Sequence, residues 1–386
     1  MRLALITDGI WPYVLGGMQK HSYYLCKYLA QNKIQVDLYH FNQSNYDVKK
    51  LEFFTDEEKQ FIQSILVDFP SSPRFPGHYI YNSYQYSKQI FSAAKSQLQS
   101  YDFIYTKGFA GWFLINQKRR HSITCAPIGL NFHGYEMFQP APSIKSAIQI
   151  FLFLRRPVKK ISLNADVVFS YGGKITKLIQ DSGVKKENIF ELPSGVEASF
   201  ILPNSRLTDN KIKILYLGRY ERRKGIEELN QAIQLYLNQD SENNLEFQFV
   251  GPIPEDKKVN SSHCIYHGEI RDKAELKNKI QACDILICAS WSEGMPNVIL
   301  EGMACGLAII ATDVGATSIL VDEENGWLLP EPRVDLLQAL FFEISQLKTT
   351  SLDDKKEHSL NKIKNKFTWE KLITQLIDKI KSYESI

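Results

Sequence analysis

The chain of 386 residues lacks the features that are typical of metal-binding, membrane-spanning and nucleic-acid-binding proteins. Its six cysteines form no C-x-x-C pair and no Cys/His cluster with zinc spacing, so we expect reduced, mostly buried thiols. No apolar run approaches the roughly 20 residues of a membrane span. The net charge of +3 is too small to indicate nucleic-acid binding. These absences favour a globular protein of the cytoplasm.

Several ligand-binding signatures are also missing. The fingerprint G-x-G-x-x-G does not occur at the first strand–helix turn, which argues against a dehydrogenase. Neither "RRKG" nor "YGGKIT" has the Ser or Thr after Gly-Lys that a Walker A loop requires. The sequence contains no Asp-x-Asp metal motif, which is consistent with our expectation of no metal and no cofactor. The start, "MRLALITDGIWP", has an apolar run broken by Asp8, which is typical of a first strand rather than a signal peptide.

Short apolar runs alternate with helical patterns in two series, as in doubly wound α/β domains. The first series predicts strands at 3–7, 34–41, 102–108, 128–134 and 166–172, with helices after Gly17 and near 84–100. After the polar stretch 203–210, a second series predicts strands at 212–218, 245–251, 264–269, 284–290 and 307–313. We therefore predict an N-terminal domain of residues 1–198, completed by the C-terminal helix 369–386, and a C-terminal domain of residues 199–368.

Two segments after predicted strands could hold phosphate groups. Gly16 and Gly17 directly precede a helix, whose free N–H groups suit an anion, although a Gly-Gly pair alone is more often a simple turn. Arg219 and Lys224 follow the first strand of the second series, where a guanidinium and an ammonium can clamp a diphosphate. Their position after a strand favours this over a solvated surface turn.

The stretch "SEGMPNVILE" carries two carboxylates around a helix start. Pro296 is predicted as the first helical residue, which places Glu293 in the preceding loop and Glu301 within the helix. Carboxylates accept hydrogen bonds from sugar hydroxyls, and N–H groups at a helix start suit anions. Taken singly, Glu293 could serve only the helix dipole and Glu301 could be a salt-bridged helix acid.

Together these motifs resemble the retaining GT-B glycosyltransferases of family GT4, also called group 1. The resemblance covers nearly the whole chain and is closest at 212–330, in "LGRYERRKG", "FVG", "HGEI" and "ASWSEGMPNVILEGMACG". Glu293 and Glu301 match the E-x7-E signature of this family. The N-terminal half matches more loosely, through its Gly-Gly loop and "NFHGYE", whose His133 corresponds to an active-site histidine.

The resemblance implies a fold and a set of roles. The fold would be α/β, with two Rossmann-like doubly wound domains facing across a deep cleft. The donor would be a nucleotide diphospho-sugar, with Arg219 and Lys224 on its diphosphate and Glu301 on its ribose. The implied donor-binding residues are Gly16, Gly17, Arg219, Lys224, Ile270, Glu293, Gly294, Met295, Pro296, Asn297 and Glu301. His133 would lie beside the transferred sugar, and Glu136 would help to position the acceptor.

The implied reaction is glycosyl transfer with retention, in which the leaving phosphate accepts the proton of the acceptor. Family habit indicates bacterial surface polysaccharide or glycolipid synthesis, with a sugar or a lipid-linked acceptor. The segment 141–177 carries seven Lys or Arg and one Asp, a balance of 7 − 1 = +6, among apolar residues. This segment could lie on an anionic membrane on its cytoplasmic side, or could be an ordinary helix with a solvated basic face.

Two other functions remain open from the residues. One is another GT-B enzyme, such as a sugar-nucleotide epimerase, although E-x7-E favours transfer. The second is a catalytically silent protein that binds a sugar nucleotide or acts as a scaffold. The presence of Arg219, Lys224, Glu293 and Glu301 together argues against the silent protein.

Overall fold

The computed structural model describes residues 1–14, 16–44, 47, 50–120, 123–139, 144–209, 211–239 and 244–383, without the side chains of 144–147 and 149. The chain forms two compact units. The first unit comprises Met1–Phe138, Lys145–Ser194 and Trp369–Ile386, and the second comprises Gln139–Ile144 and Gly195–Thr368. The main boundary therefore falls at 194/195, four residues before the predicted 198/199.

A seven-stranded parallel sheet forms the centre of the first unit. Its strands are β1 (Arg2–Ile6), β2 (Gln35–His40), β3 (Ile62–Leu66), β4 (Phe103–Lys107), β5 (Ile128–Asn131), β6 (Val167–Ser170) and β7 (Ile189–Glu191). Their spatial order is β3-β2-β1-β4-β5-β6-β7. Helices cover both faces of such a sheet, which explains the continuous apolar run of β1.

The second unit contains a six-stranded parallel sheet. Its strands are β8 (Ile212–Leu217), β9 (Leu245–Val250), β10 (Cys264–Tyr266), β11 (Ile285–Cys288), β12 (Ala308–Thr312) and β13 (Gly326–Leu329). The order β10-β9-β8-β11-β12-β13 repeats the 3-2-1-4-5-6 order of a Rossmann sheet, which the first sheet also contains.

Thirteen α-helices are described. They are α1 (Gly17–Gln31), α2 (Asp56–Lys59), α3 (His78–Ala94), α4 (Trp112–Arg119), α5 (Ile144–Phe153), α6 (Arg155–Ser162), α7 (Lys174–Asp181), α8 (Ile226–Gln239), α9 (Lys273–Gln281), α10 (Asn297–Ala304), α11 (Val334–Ser345), α12 (Thr349–Lys366) and α13 (Trp369–Lys381). Helix α13 packs into the core of the first unit, where Trp369 stacks on Tyr28 at 5.9 Å. None of the described helices is both long and apolar enough to cross a bilayer.

Some predicted bounds were wrong and some strands were missed. The strand predicted at 264–269 ends at Tyr266. The strand predicted at 128–134 ends at Asn131, because His133 and Tyr135 have φ angles of 59° and 47°, outside the β region. The helix predicted near 84–100 instead spans His78–Ala94. Strands β3, β7 and β13 were not predicted. All three are edge strands, and polar residues interrupt the apolar pattern of β3.

All six cysteines are free thiols, and five of them are buried while Cys125 is half-buried. In each sheet, all strands run parallel, so their carboxyl ends lie along one edge. Ligands of open α/β sheets bind at this edge. The predicted site residues of each unit follow these strand ends.

Candidate active site

Glu293 is the centre of a charged cluster in the second unit. Its residue is only 6% exposed. The Lys224 Nζ lies 2.6 Å from Glu293 Oε1, and the Arg223 Nη1 lies 3.4 Å from Glu293 Oε2. The Ser290 hydroxyl donates to Glu293 Oε1 at 2.8 Å. The cluster thus joins two predicted site residues, Glu293 and Lys224, directly to each other.

Two close contacts between backbone segments hold this cluster in position. Gly225 has a φ of +65°, and a Cβ there would lie 1.7 Å from the carbonyl oxygen of Ala289. Gly315 has a φ of +57°, and its Cβ would lie 2.2 Å from the carbonyl oxygen of Glu293. Only glycine allows both the left-handed backbone and these contacts. The turn before α8 is therefore held against the end of β11, which brings Lys224 to Glu293.

Gln139 fixes the backbone of Glu293 within the second unit. Its side-chain Nε2 donates to Glu293 O at 2.6 Å, and Glu293 N donates to Gln139 Oε1 at 3.3 Å. Gln139 is buried, so both hydrogen bonds are shielded from water. Gln139, Arg223 and Ser290 were not predicted from the sequence, because contacts between distant residues leave no local pattern.

Arg219 lies at the surface of the same unit. Its side chain is 71% exposed, and its Nη2 lies 2.9 Å from Glu221 Oε1. The backbone carbonyl of Arg219 accepts a hydrogen bond from the Tyr216 hydroxyl at 2.9 Å. The predicted diphosphate clamp thus consists of one exposed guanidinium and one half-buried ammonium, each beside a carboxylate.

The segment after Glu293 leads into α10. Helix α10 begins at Asn297, and Pro296 is its N-cap, so the prediction of Pro296 as first helical residue was one position early. Met295 is buried, while Gly294 and Asn297 are partly exposed. Glu301 lies in the middle of α10 and is half-buried. Ile270 lies in the loop after β10, also half-buried.

The first unit contributes His133 at the end of β5. The strained backbone of His133, with φ 59°, is held by a hydrogen bond from its N–H to Asn131 Oδ1 at 2.6 Å. The ring Nδ1 is hydrogen-bonded to the Tyr171 hydroxyl. The ring Nε2 is buried and has no hydrogen-bond partner among the described residues. Such an atom is suited to a ligand, since an unpaired buried polar group is costly.

The other predicted residues of the first unit are exposed. Gly16 is the N-cap of α1, which begins at Gly17. Both glycines are exposed, and α1 has no acidic residue in its first turn. Glu136 is exposed in a single 3₁₀ turn, Glu136–Phe138. The helix start therefore remains accessible to an anion.

A buried polar cluster beside His133 was not predicted. The Lys107 Nζ lies 2.7 Å from His21 Nδ1, and the rings of His21 and His133 meet edge to face at 5.1 Å. Burial, reinforced by Lys107, holds the pKa of both imidazoles well below the usual value. Burial raises the pKa of Asp8 to about 6, an effect that Lys107 opposes. These residues lie far apart in the sequence, at positions 8, 21, 107 and 133, so no local sequence pattern predicts the cluster.

No three His, Cys, Asp or Glu side chains come together as metal ligands would in the part of the chain that the structure describes.

Two family models match the chain. "Glycosyl transferases group 1" matches residues 211–347, and "Glycosyltransferase Family 4" matches residues 15–200. An uncharacterised glycosyltransferase of Methanocaldococcus jannaschii is 25% identical over 96% of this chain and 95% of its own. A putative teichuronic acid biosynthesis glycosyltransferase of Bacillus subtilis is 28% identical over 55% of this chain and 54% of its own.

Solved structures share the fold over the whole chain. Sucrose-phosphate synthase of Thermosynechococcus elongatus has a TM-score of 0.75 at 18% identity, covering 100% of this chain and 99% of its own. Anabaena HepE in complex with UDP-glucose has a TM-score of 0.67 at 14% identity, covering 99% and 100%. With the two parallel sheets, these similarities establish a two-domain α/β GT-B fold.

Proposed function

We propose that this chain, which belongs to the group 1 glycosyltransferases of family GT4, transfers a sugar from a nucleotide diphospho-sugar to a hydroxyl group, with retention of the anomeric configuration. The observation that carries the proposal is the buried Glu293, held by Lys224 and Arg223 directly before α10. This cluster combines an acceptor for sugar hydroxyls with cations for a diphosphate at one sheet edge.

The leaving group needs positive partners. As the bond from the anomeric carbon to the diphosphate breaks, negative charge grows on the diphosphate oxygens. Arg219, Lys224 and the N–H groups at the start of α10 supply donors for that charge, and each preorganised donor is typically worth about 3 kcal/mol. The Glu293 carboxylate already orients the Lys224 ammonium at 2.6 Å, so little reorganisation is needed on binding.

Each of the two carboxylates is assigned to one of the two sugars of the donor. Glu293 accepts hydrogen bonds from hydroxyls of the transferred sugar, and Glu301 accepts those of the ribose. The chain from Gly294 to Asn297 offers amides to sugar and phosphate, and Ile270 lies near the base. The family resemblance assigns the Nε2 of His133 to the transferred sugar, and Gly16 and Gly17 to the diphosphate.

The proton balance follows from the leaving group. The acceptor oxygen bonds to the anomeric carbon on the face from which the diphosphate departs, and the hydroxyl proton passes to a leaving phosphate oxygen. Two cations neutralise the phosphates, so no metal takes part in this proposal. The similarity to HepE, a protein solved with UDP-glucose, supports a nucleotide-sugar donor.

The acceptor is proposed to be a sugar or a lipid-linked sugar in surface polysaccharide or glycolipid synthesis. The similarity to the teichuronic acid glycosyltransferase supports this class. Glu136, exposed after His133, would help to position the acceptor.

We also propose contact with an anionic membrane through the segment 141–177. Helix α5 exposes Phe151 and Leu152 at 59% and 58%, and α6 exposes Lys159 and Lys160. Residues 141–143 and the side chains of 144–147, including Lys145, lie outside the described residues. The apolar face of α6, with Val158 and Ile161, is buried in the core, so the contact would rest on α5 and on the cations of α6.

Vesicle sedimentation tests the membrane contact. We expect binding to anionic vesicles but not to zwitterionic ones, because both apolar and charged groups are exposed. The double variant Phe151→Ser with Leu152→Ser should lose binding. Leu207→Ser, at a site 73% exposed in the second unit, is the matched control. Equal binding by all forms would refute the contact.

Donor binding tests the proposed reaction. The protein is titrated with UDP-, GDP-, ADP- and dTDP-sugars while its melting temperature is followed. We expect one nucleotide class to raise the melting temperature, and the rise to be lost in Arg219→Ala and Glu301→Ala. No rise with any nucleotide sugar in the folded protein would contradict the proposal and favour a silent scaffold.

A further inference from the structure

Lys107 is a buried lysine that no step of the proposed reaction uses. It ends β4 with an exposed fraction of 0%. The hydrogen bonds of its Nζ go to His21 Nδ1 at 2.7 Å and to Met18 O at 3.4 Å. A lysine is rarely fully buried without a carboxylate in direct contact, and such groups concentrate at functional sites.

The polar groups around Lys107 and His21 come from four parts of the first unit. His21 lies on α1, His133 follows β5, Tyr171 follows β6 and Asp8 follows β1. His21 is 3% exposed and lies between two rings, with its centroid 5.1 Å from that of His133 and 5.0 Å from that of Trp369. Lys107 therefore supports His21, and His21 supports the ring of His133.

Three bases in one buried cluster cannot all be charged, because each added charge repels the others in a poorly solvated site. A lysine is the strongest base of the three, with an ordinary pKa of about 10.4 against about 6.5 for histidine. Asp8 favours the charged form of Lys107, although burial lowers the pKa of that lysine. Of the three bases, Lys107 is therefore the one that we expect to hold the first proton.

The charged lysine determines the state of His21. An ammonium has only donors, so while Lys107 is charged His21 Nδ1 accepts the hydrogen bond and the ring proton lies on Nε2, which has no hydrogen-bond partner among the described residues. Burial and the charge of Lys107 then both oppose a second proton on either imidazole. Both histidines remain neutral while Lys107 holds the proton.

We propose that Lys107 and His21 are positioning residues for His133: Lys107 holds the single proton of the cluster, and His21 supports the His133 ring, so that His133 meets the sugar as an uncharged imidazole. The inference rests on the proposed function only in giving His133 a sugar to meet. A neutral imidazole can hydrogen-bond the sugar without placing a positive charge beside the carbon that becomes positive in the reaction.

The experiment follows the histidine ring signals by NMR between pH 8 and pH 5, with no substrate present. The protein has eight histidines, and the His133→Gln variant identifies the His133 signal by its loss. We expect the His133 signal to stay that of the neutral ring in the natural protein. In Lys107→Met we expect the His133 signal to titrate within this range, at a pH at least one unit higher than in the natural protein. If that variant does not fold, Lys107→Gln takes its place.

Lys118→Met is the matched control, because Lys118 is a lysine of the same unit whose ion pair is with Asp166 at 2.6 Å. It should leave the His133 titration unchanged. Identical His133 titrations in the natural protein and the Lys107 variants would overturn the proposal, as would a His133 that titrates near pH 6.5 in the natural protein. The titration needs no donor, so it is decided separately from the transferase proposal.

Discussion

We propose two roles for the Glu293 carboxylate, one in holding the neighbouring cations and one in binding the donor sugar. Its oxygens hold Lys224, Arg223 and the Ser290 hydroxyl, while its backbone is bound by Gln139. The carboxylate therefore orients both cations in the absence of a donor, and in the proposed reaction it would also accept hydrogen bonds from hydroxyls of the donor sugar. The E-x7-E signature identified Glu293 from the sequence, but its ion pairs are visible only in the folded structure.

The variant Glu293→Gln tests this double role. It keeps the shape but removes the charge that Lys224 and Arg223 share, so we expect the free energy of unfolding to fall by about 1–3 kcal/mol. Transfer should fall about 10²- to 10³-fold in kcat, the usual loss for a preorganised electrostatic partner. Chemical denaturation and initial rates measure the two effects.

Glu331→Gln is the control for that variant, because the Glu331 side chain is 50% exposed and lies 3.9 Å from Arg333. It should change neither quantity measurably. A Glu293→Gln protein with natural transfer rates would show that the cluster is structural only.

At the scale of elements, the turn before α8 carries the lysine to the carboxylate. This turn depends on Gly225, whose missing side chain lets the backbone approach Ala289. The helix alone would not place Lys224, since the residue precedes α8 in a 3₁₀ turn, Arg222–Lys224.

Gly225→Ala should therefore damage the site. Gly268 offers a matched control, because its φ of +71° resembles the +65° of Gly225 but nothing lies within 4 Å of a Cβ there. Both variants strain the backbone, by roughly 1–3 kcal/mol, but only Gly225→Ala must also push Ala289 away. We expect Gly225→Ala to lose at least about 2 kcal/mol more stability by denaturation, and to bind the donor more weakly. Equal losses in both variants would contradict the close-approach argument.

Elements with strong local patterns were predictable from sequence. The apolar runs predicted β1, β8 and β12 to within one residue at each end, since buried parallel strands are continuously apolar. Strand β3 was missed because its "IQSIL" lacks such a run. The end of β5 was missed because the left-handed backbone of His133 depends on Asn131, a contact that no periodicity reveals.

At the scale of the whole molecule, the repeated α/β rhythm predicted two doubly wound units, and both sheets have the Rossmann order. The parallel arrangement explains why motifs scattered over the chain were recognisable as candidate site residues, since most of them follow a strand. The partners Gln139, Arg223 and Lys107 were beyond prediction. Gln139 and Arg223 contact Glu293, and Lys107 contacts His21, through pairings of residues far apart in the sequence, such as that of Gln139 with Glu293, 154 residues apart.

The measurement that tests the central claim most directly is the anomeric configuration of the product. Once the donor panel has identified a nucleotide sugar and an acceptor has been found, the one-bond carbon–proton coupling at the anomeric centre of the product is read by NMR. An α-linked donor should give an α-linked product with the natural protein and almost none with Glu293→Gln. A β-linked product, or equal product from both proteins, would contradict the account.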